Sequence, residues 1–131
     1  MNIHSEITAI TTLDRGVTAG MSGRVIAMSP DTTGTAMFEN GSVVTGLLDG
    51  VSVRVARQQR RGLRVGTKVV LTRDISKDIR KGDRGVVVFL GGRFMDRHTV
   101  RFFAKSSVAN LPVTDLVAVS APYGSVVRAR T

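Results

Sequence analysis

The sequence predicts an all-β protein, built as two tandem small barrels that arise from an internal repeat. Three observations predict it. No stretch keeps apolar residues at helical spacing for three turns, whereas short runs rich in Val and Thr alternate with clusters of Gly, Asp, Asn and Ser. A length of 131 residues suits one ordinary domain or two very small ones. The segment ITAITTLDRGVTAGMSGRVI (7–26) overlays VVLTRDISKDIRKGDRGVVV (69–88) without a gap, as duplication of one structural unit would produce.

In that overlay Ile7 falls on Val69, Ala9 on Leu71, Leu13 on Ile75 and Val17 on Ile79. Gly20 falls on Gly82, Gly23 on Gly85, Val25 on Val87 and Ile26 on Val88, so both copies share Gly-x-x-Gly followed by a β-branched strand. Downstream, Phe38 matches Phe102, Asp49 matches Asp115 and Val53 matches Val119, after a loop two residues longer in the second copy.

The elements follow in order. The first unit, 1–56, is expected to carry strands near 6–12, 23–28, 35–39, 42–47 and 51–56, with Asn40-Gly41 between AMFE and SVVT as a hairpin signal. A basic connector follows at 57–66. The second unit, 67–122, is expected to carry strands near 67–72, 85–90, 98–103, 108–113 and 116–119. Ser76 to Lys81 reads as a connecting loop, and Gly91-Gly92 as a turn that accepts positive φ. For the tail at 123–131 two readings stay open: disorder, or an added edge strand from SVVR.

Composition excludes several kinds of chemistry. With no cysteine, disulfides, thiolate catalysis and zinc–thiolate clusters have no material. His4 and His98 are the only imidazoles, too few for a His-rich metal site. The start, MNIHSEITAI, lacks a basic stretch followed by an apolar one, and no apolar run approaches the roughly 20 residues of a membrane helix. The expectation is a cytoplasmic protein without a membrane partner.

The net charge of +9 is unevenly spread. Residues 1–53 hold two basic residues against five acidic, 54–67 hold five arginines and no acid, and 68–131 hold twelve basic residues against five acidic. One basic face for a polyanion is the expectation.

The stretch IRKGDRGVVVFL (79–90) raises the question of a phosphate-gripping loop. Such a loop must open a helix, whose N-terminus supplies the anion site. Here the glycines precede a strand, and the same turn recurs without its charges as AGMSG. They are expected to serve a tight bend.

At these residues the chain resembles a known family. KVVLTRDISKDIRKGDRGVVVFL (68–90), VRF (100–102) and LPVTDLVAV (111–119) look like the SH3-like small β-barrel, in particular its KOW type. The accessory barrel of one class of helicases is similar at Val70 to Asp74 and Gly82 to Val88. The resemblance implies two tandem SH3-like barrels, and it is poorly specific for function. The first copy lacks the basic turn, and neither copy has the aromatic groove that holds proline-rich peptides. The active-site segment of the small-barrel dihydrofolate reductase has no counterpart.

No catalytic residue, metal or cofactor is expected. Asp74, Asp78 and Asp83 share one loop, but Lys77, Arg80, Lys81 and Arg84 are interleaved, which opposes a divalent ion, so turn and capping chemistry explains the carboxylates. His98, beside Arg97, is expected on a strand surface. Without a base, no Ser or Thr reads as a nucleophile. The expected contact residues are therefore basic. Arg54, Arg57, Arg60, Arg61 and Arg64 form one group around the connector. Lys77, Arg80, Lys81 and Arg84 in the turn, with Arg93 and Arg97 in the adjoining hairpin, form another, expected at one end of the barrel. Phe38 and Phe102 are expected in the core. Phe94, beside Met95 near the hairpin tip, is the candidate for stacking on a base.

Together these point to a non-enzymatic nucleic-acid-binding protein, a regulator associated with transcription or translation, phage- or plasmid-borne factors included. The alternative is an adaptor or inhibitor that docks its basic face on an acidic protein, a nucleic-acid-processing machine for instance. DNA versus RNA, and the oligomeric state, stay open.

Overall fold

The computed structural model describes residues 1–56, 63–93, 96–105 and 107–119. Among them the chain forms ten β-strands, one 3-10 turn and no α-helix. The first five strands are β1 (Glu6–Ala9), β2 (Ser22–Met28), β3 (Gly34–Phe38), β4 (Val43–Leu47) and β5 (Val53–Val55). They make an antiparallel sheet in the order β4-β3-β2-β1-β5. The second five are β6 (Lys68–Leu71), β7 (Arg84–Gly91), β8 (Arg97–Phe102), β9 (Val108–Pro112) and β10 (Leu116–Ala118). Their order, β10-β6-β7-β8-β9, is the same order repeated. The chain is thus all-β, with two small-barrel units in tandem.

The repeat extends to individual hydrogen bonds. Gly20 N–H donates to the Ala9 carbonyl at 2.8 Å, and Gly82 N–H to the Leu71 carbonyl at 2.8 Å. Leu13 N–H reaches the Val17 carbonyl at 2.8 Å, as Ile75 N–H reaches that of Ile79 at 2.9 Å. Both bends need a left-handed residue, and Gly20 (φ 97) and Gly82 (φ 93) supply it. The second glycine of each pair serves close approach instead. A Cβ on Gly23 would lie 2.8 Å from the Phe38 ring, and one on Gly85 would lie 2.6 Å from the Arg101 carbonyl oxygen. The turn at 81–83 leads directly into β7, so no helix N-terminus stands behind it.

Each unit has its own core. Ile7, Val17, Val25, Ala36, Phe38, Leu47 and Val53 fill the first; Val69, Leu71, Ile79, Val87, Val100, Phe102 and Leu116 fill the second. Phe38 and Phe102 occupy the matching places expected of them. Leu63 is buried in the second core, so the chain just before β6 already belongs to that unit.

Two expectations require correction. The strand ladder pairs Val53 with Ala9 and Leu116 with Leu71, so Val53 corresponds to Leu116, not to Val119, and Asp49 does not match Asp115. A slip by an odd number of residues exchanges the two faces of a strand. Leu116 accordingly faces the core, while Val117 and Val119 pack on the opposite side. His98, expected at the surface, is fully buried. Alternation along β8 is the reason: Arg97, Thr99 and Arg101 point outward, whereas His98, Val100 and Phe102 point inward. His98 Nε2 accepts the Leu63 N–H at 2.9 Å, which fixes its proton on Nδ1, and Nδ1 has no partner among the described residues.

A third cluster joins the units. Met37 of β3 packs against Val70 of β6 and Val117 of β10, with Ile26, Val43 and Val119 around them. Arg24, also buried, crosses the junction: Nε donates to the Leu116 carbonyl at 2.8 Å, and the guanidinium donates to the His4 carbonyl at 2.6 Å. Arg84 reaches back from the second unit to the Asn40 carbonyl at 2.9 Å. Full burial of Met37 contributes about 2 kcal/mol to this contact.

Candidate nucleic-acid interface

Every described basic residue of the predicted set is solvent-exposed: Arg54, Arg64, Lys77, Arg80, Lys81, Arg84, Arg93 and Arg97. Arg57, Arg60, Arg61 and Phe94, and the tail, lie outside the described residues. The exposed set is not one cluster. Arg54 stands on the outside of β5 in the first unit, opposite Thr8.

In the second unit the two groups expected at one end lie at opposite ends. The loop carrying Lys77, Arg80 and Lys81 precedes Arg84, the first residue of β7, and the hairpin carrying Arg93 and Arg97 follows Gly91, its last. Eight residues of strand hold the two ends roughly 23 Å apart. Arg64 belongs with the hairpin end, because Leu63 is bonded to His98, opposite Leu90 in the ladder.

The loop end is rich in cations, but carboxylates temper them. Asp74 accepts the Lys81 N–H at 2.8 Å and lies 3.3 Å from Arg80 Nε. The Lys81 amide, together with the Arg80 guanidinium, holds the Asp74 carboxyl below its ordinary value of 3.8. Asp83 accepts the Arg80 N–H at 2.9 Å, and Asp78 lies 3.7 Å from Lys105 Nζ. Asp74 and Asp83 thus close the turn, as expected, whereas Asp78 faces Lys105 across the unit; among the described residues no group of three metal-ligating side chains occurs. Asp115 is buried and takes Arg73 Nε at 2.9 Å.

The open face of β7, β8 and β9 is different, for those three strands contain no carboxylate. Arg101 projects from near the end of β8, between Val86 of β7 and Val108 of β9. Arg97 projects from its start, steered by Asn110, whose side-chain oxygen it reaches at 2.8 Å and whose carbonyl at 3.2 Å. Phe89 lies opposite Thr99, between the two arginines in register, with 62% of its surface exposed. Arg101 and Phe89 were absent from the sequence-predicted set. Alternation outward from Phe102 finds Arg101. Phe89 is hidden by a bulge at Val88, which puts two successive residues of β7 at the surface.

No protein-family model matches the chain, and none of the curated proteins shows a match to its sequence. No helix of the described residues is long and apolar enough to cross a membrane.

Proposed function

We propose that the protein is a non-enzymatic nucleic-acid-binding small-barrel protein, of the SH3-like kind, that contacts phosphates through the second unit. One observation carries the reading: Arg97 and Arg101 share an exposed three-stranded face without a carboxylate, flanked by Arg64 and Arg93 at one end and Lys77, Lys81 and Arg84 at the other. A polyanion laid across that face meets cations along its whole length and releases counterions as it binds. A regulatory role beside a transcription or translation machine suits a body of this size.

The test is a titration of labelled duplex and single-stranded oligonucleotides at two salt concentrations. Affinity is expected to fall steeply with salt, and charge reversal of Arg97 and Arg101 to weaken binding more than reversal of Arg15, an exposed residue of the first unit. Arg24 is unsuitable as a control, since its guanidinium is buried and bonded at the junction. Absence of binding at low salt would leave the adaptor reading, in which the basic face docks on an acidic protein. A nuclease-treated pull-down then identifies the partner.

A further inference from the structure

We infer that the outer face of β7, β8 and β9 is a platform for single-stranded nucleic acid, on which Phe89 stacks with an unpaired base while Arg97 and Arg101 hold phosphates on either side. This rests on the nucleic-acid reading above and narrows it to one surface and one class of ligand.

The first support comes from the sister unit. The equivalent face, on β2, β3 and β4, is a docking face: Met37, Ile26 and Val43 are covered there by Val70 and Val117. By ladder register Met37 corresponds to Arg101, Val43 to Val108 and the bulged Ile26 to Val88. Ala27, the residue after the first bulge, corresponds to Phe89. The second face thus keeps the flanking apolar positions, exchanges the central Met for Arg and gains an aromatic ring. It stands uncovered, with Val108 57% exposed and Phe89 62% exposed. An apolar ring set among arginines, on strands that carry no acid (Asp96 lies in the hairpin before β8), matches a ligand that is part π-surface and part anion.

Register supplies the second. Arg97, Thr99 and Arg101 face outward at alternate positions of β8, which separates the two arginines by roughly 13 Å along the strand. Phe89 sits at the level of Thr99, midway between them. A base lying on the ring would have its own phosphate and the next directed toward opposite arginines. Thr99 and Asn110, whose side chains lie 3.4 Å apart, offer hydroxyl and amide groups to the base edge. Three strands span roughly 10 Å from edge to edge, wide enough to seat a single strand across the ring. In a duplex the bases are stacked on one another, so only an unpaired base can meet Phe89.

The experiment is fluorescence anisotropy with single-stranded RNA, single-stranded DNA and the duplex of the same sequence, for wild type, Phe89→Ala, Phe89→Tyr and Arg101→Met. The side chains are exposed, and unchanged urea midpoints establish that the variants fold. Phe89→Ala is expected to weaken single-strand binding roughly ten-fold and to leave duplex binding unaltered, whereas Phe89→Tyr retains wild-type affinity. Arg101→Met is expected to lower the salt slope by about one counterion. If Phe89→Ala leaves single-strand affinity intact while Arg97 and Arg101 variants weaken it, the platform is refuted and phosphate binding stands. If the wild type binds no nucleic acid at low salt, both are refuted.

Discussion

The two units share strand order, bulge position and glycine placement, yet they turn the same face to different uses. In the first, the outside of β2, β3 and β4 is apolar at its centre, with Met37 only 1% exposed, and it is closed by the outside of β6 and β10. In the second, the corresponding face carries Arg101 at its centre and lies open. The reverse holds for the other face. Val70 and Val117 of the second unit are buried at the junction, while their counterparts by register, Thr8 and Arg54, are polar. One face of each copy was therefore made apolar, and they are complementary ones. This teaches how a duplicated barrel becomes a single body with a direction: the contact is head-to-tail, each unit offering a different face.

The largest effect is expected from erasing that difference at its centre. Met37→Arg gives the first face the second unit's residue, and it places a charge without a partner among Val70, Val117 and Val43. A loss of about 4 kcal/mol is expected, with urea unfolding changing from one transition to two as the units separate. The reciprocal change, Arg101→Met, lies on the open face and is expected to alter stability by less than about 0.5 kcal/mol. If both variants unfold alike, the faces do not differ as described.

Next comes the inner position where the units differ most. By register Gly34 in β3 corresponds to His98 in β8. Met1 lies over Gly34, 2.9 Å from where a Cβ would stand, whereas in the second unit the imidazole itself fills the space and anchors Leu63. His98→Ala leaves a cavity and an unsatisfied Leu63 N–H, so a loss of about 3 kcal/mol is expected in urea titration. Amide exchange at Leu63 should accelerate in the same variant. Wild-type protection at that amide would show that the bond to Nε2 does not hold the segment.

Much of this was legible in the sequence, and what was missed has physical causes. Strand positions followed from β-branched runs cut by Gly, Asn and Asp, and the paired glycines fixed the repeat through its first hairpin. The last strand was misaligned because Leu116 to Val119 offers apolar residues on both faces, so only the ladder sets the register. For His98 the charged neighbour Arg97 suggests a surface place, whereas alternation with Val100 and Phe102 sets it inside. Nearness in sequence does not put the two basic groups at one end, because the whole length of β7 stands between them. Phe89 was not legible at all, since a bulge breaks the alternation that would have exposed it.

A smaller effect, equal in both units, tests the likeness in place of the difference. Gly20 and Gly82 have positive φ and nothing within 4 Å of a built Cβ, so alanine there is opposed by backbone conformation alone. Gly20→Ala and Gly82→Ala are each expected to destabilise by about 1 kcal/mol. Unequal losses in urea unfolding would mean that the two bends are not the same structure.

The smallest effect concerns the charged turn that only the second unit has. Asp74, on the solvent side of the loop, aligns with Thr12, and Lys81 with Ala19, so the first turn lacks this carboxylate clasp. Bonding to the Lys81 amide, aided by Arg80, depresses the folded-state value of Asp74 below 3.8. A depressed carboxylate stabilises the fold fully above its unfolded value, and that contribution disappears as pH falls through the lower folded value. Asp74→Asn should therefore unfold slightly earlier than wild type at neutral pH, and the gap should close as pH falls through the lowered folded-state value. The side chain is exposed, so solvent screening keeps the difference small, and amide exchange at Lys81 is the more sensitive measurement. A gap that persisted or widened in acid would show that the clasp holds the turn through shape and not through charge.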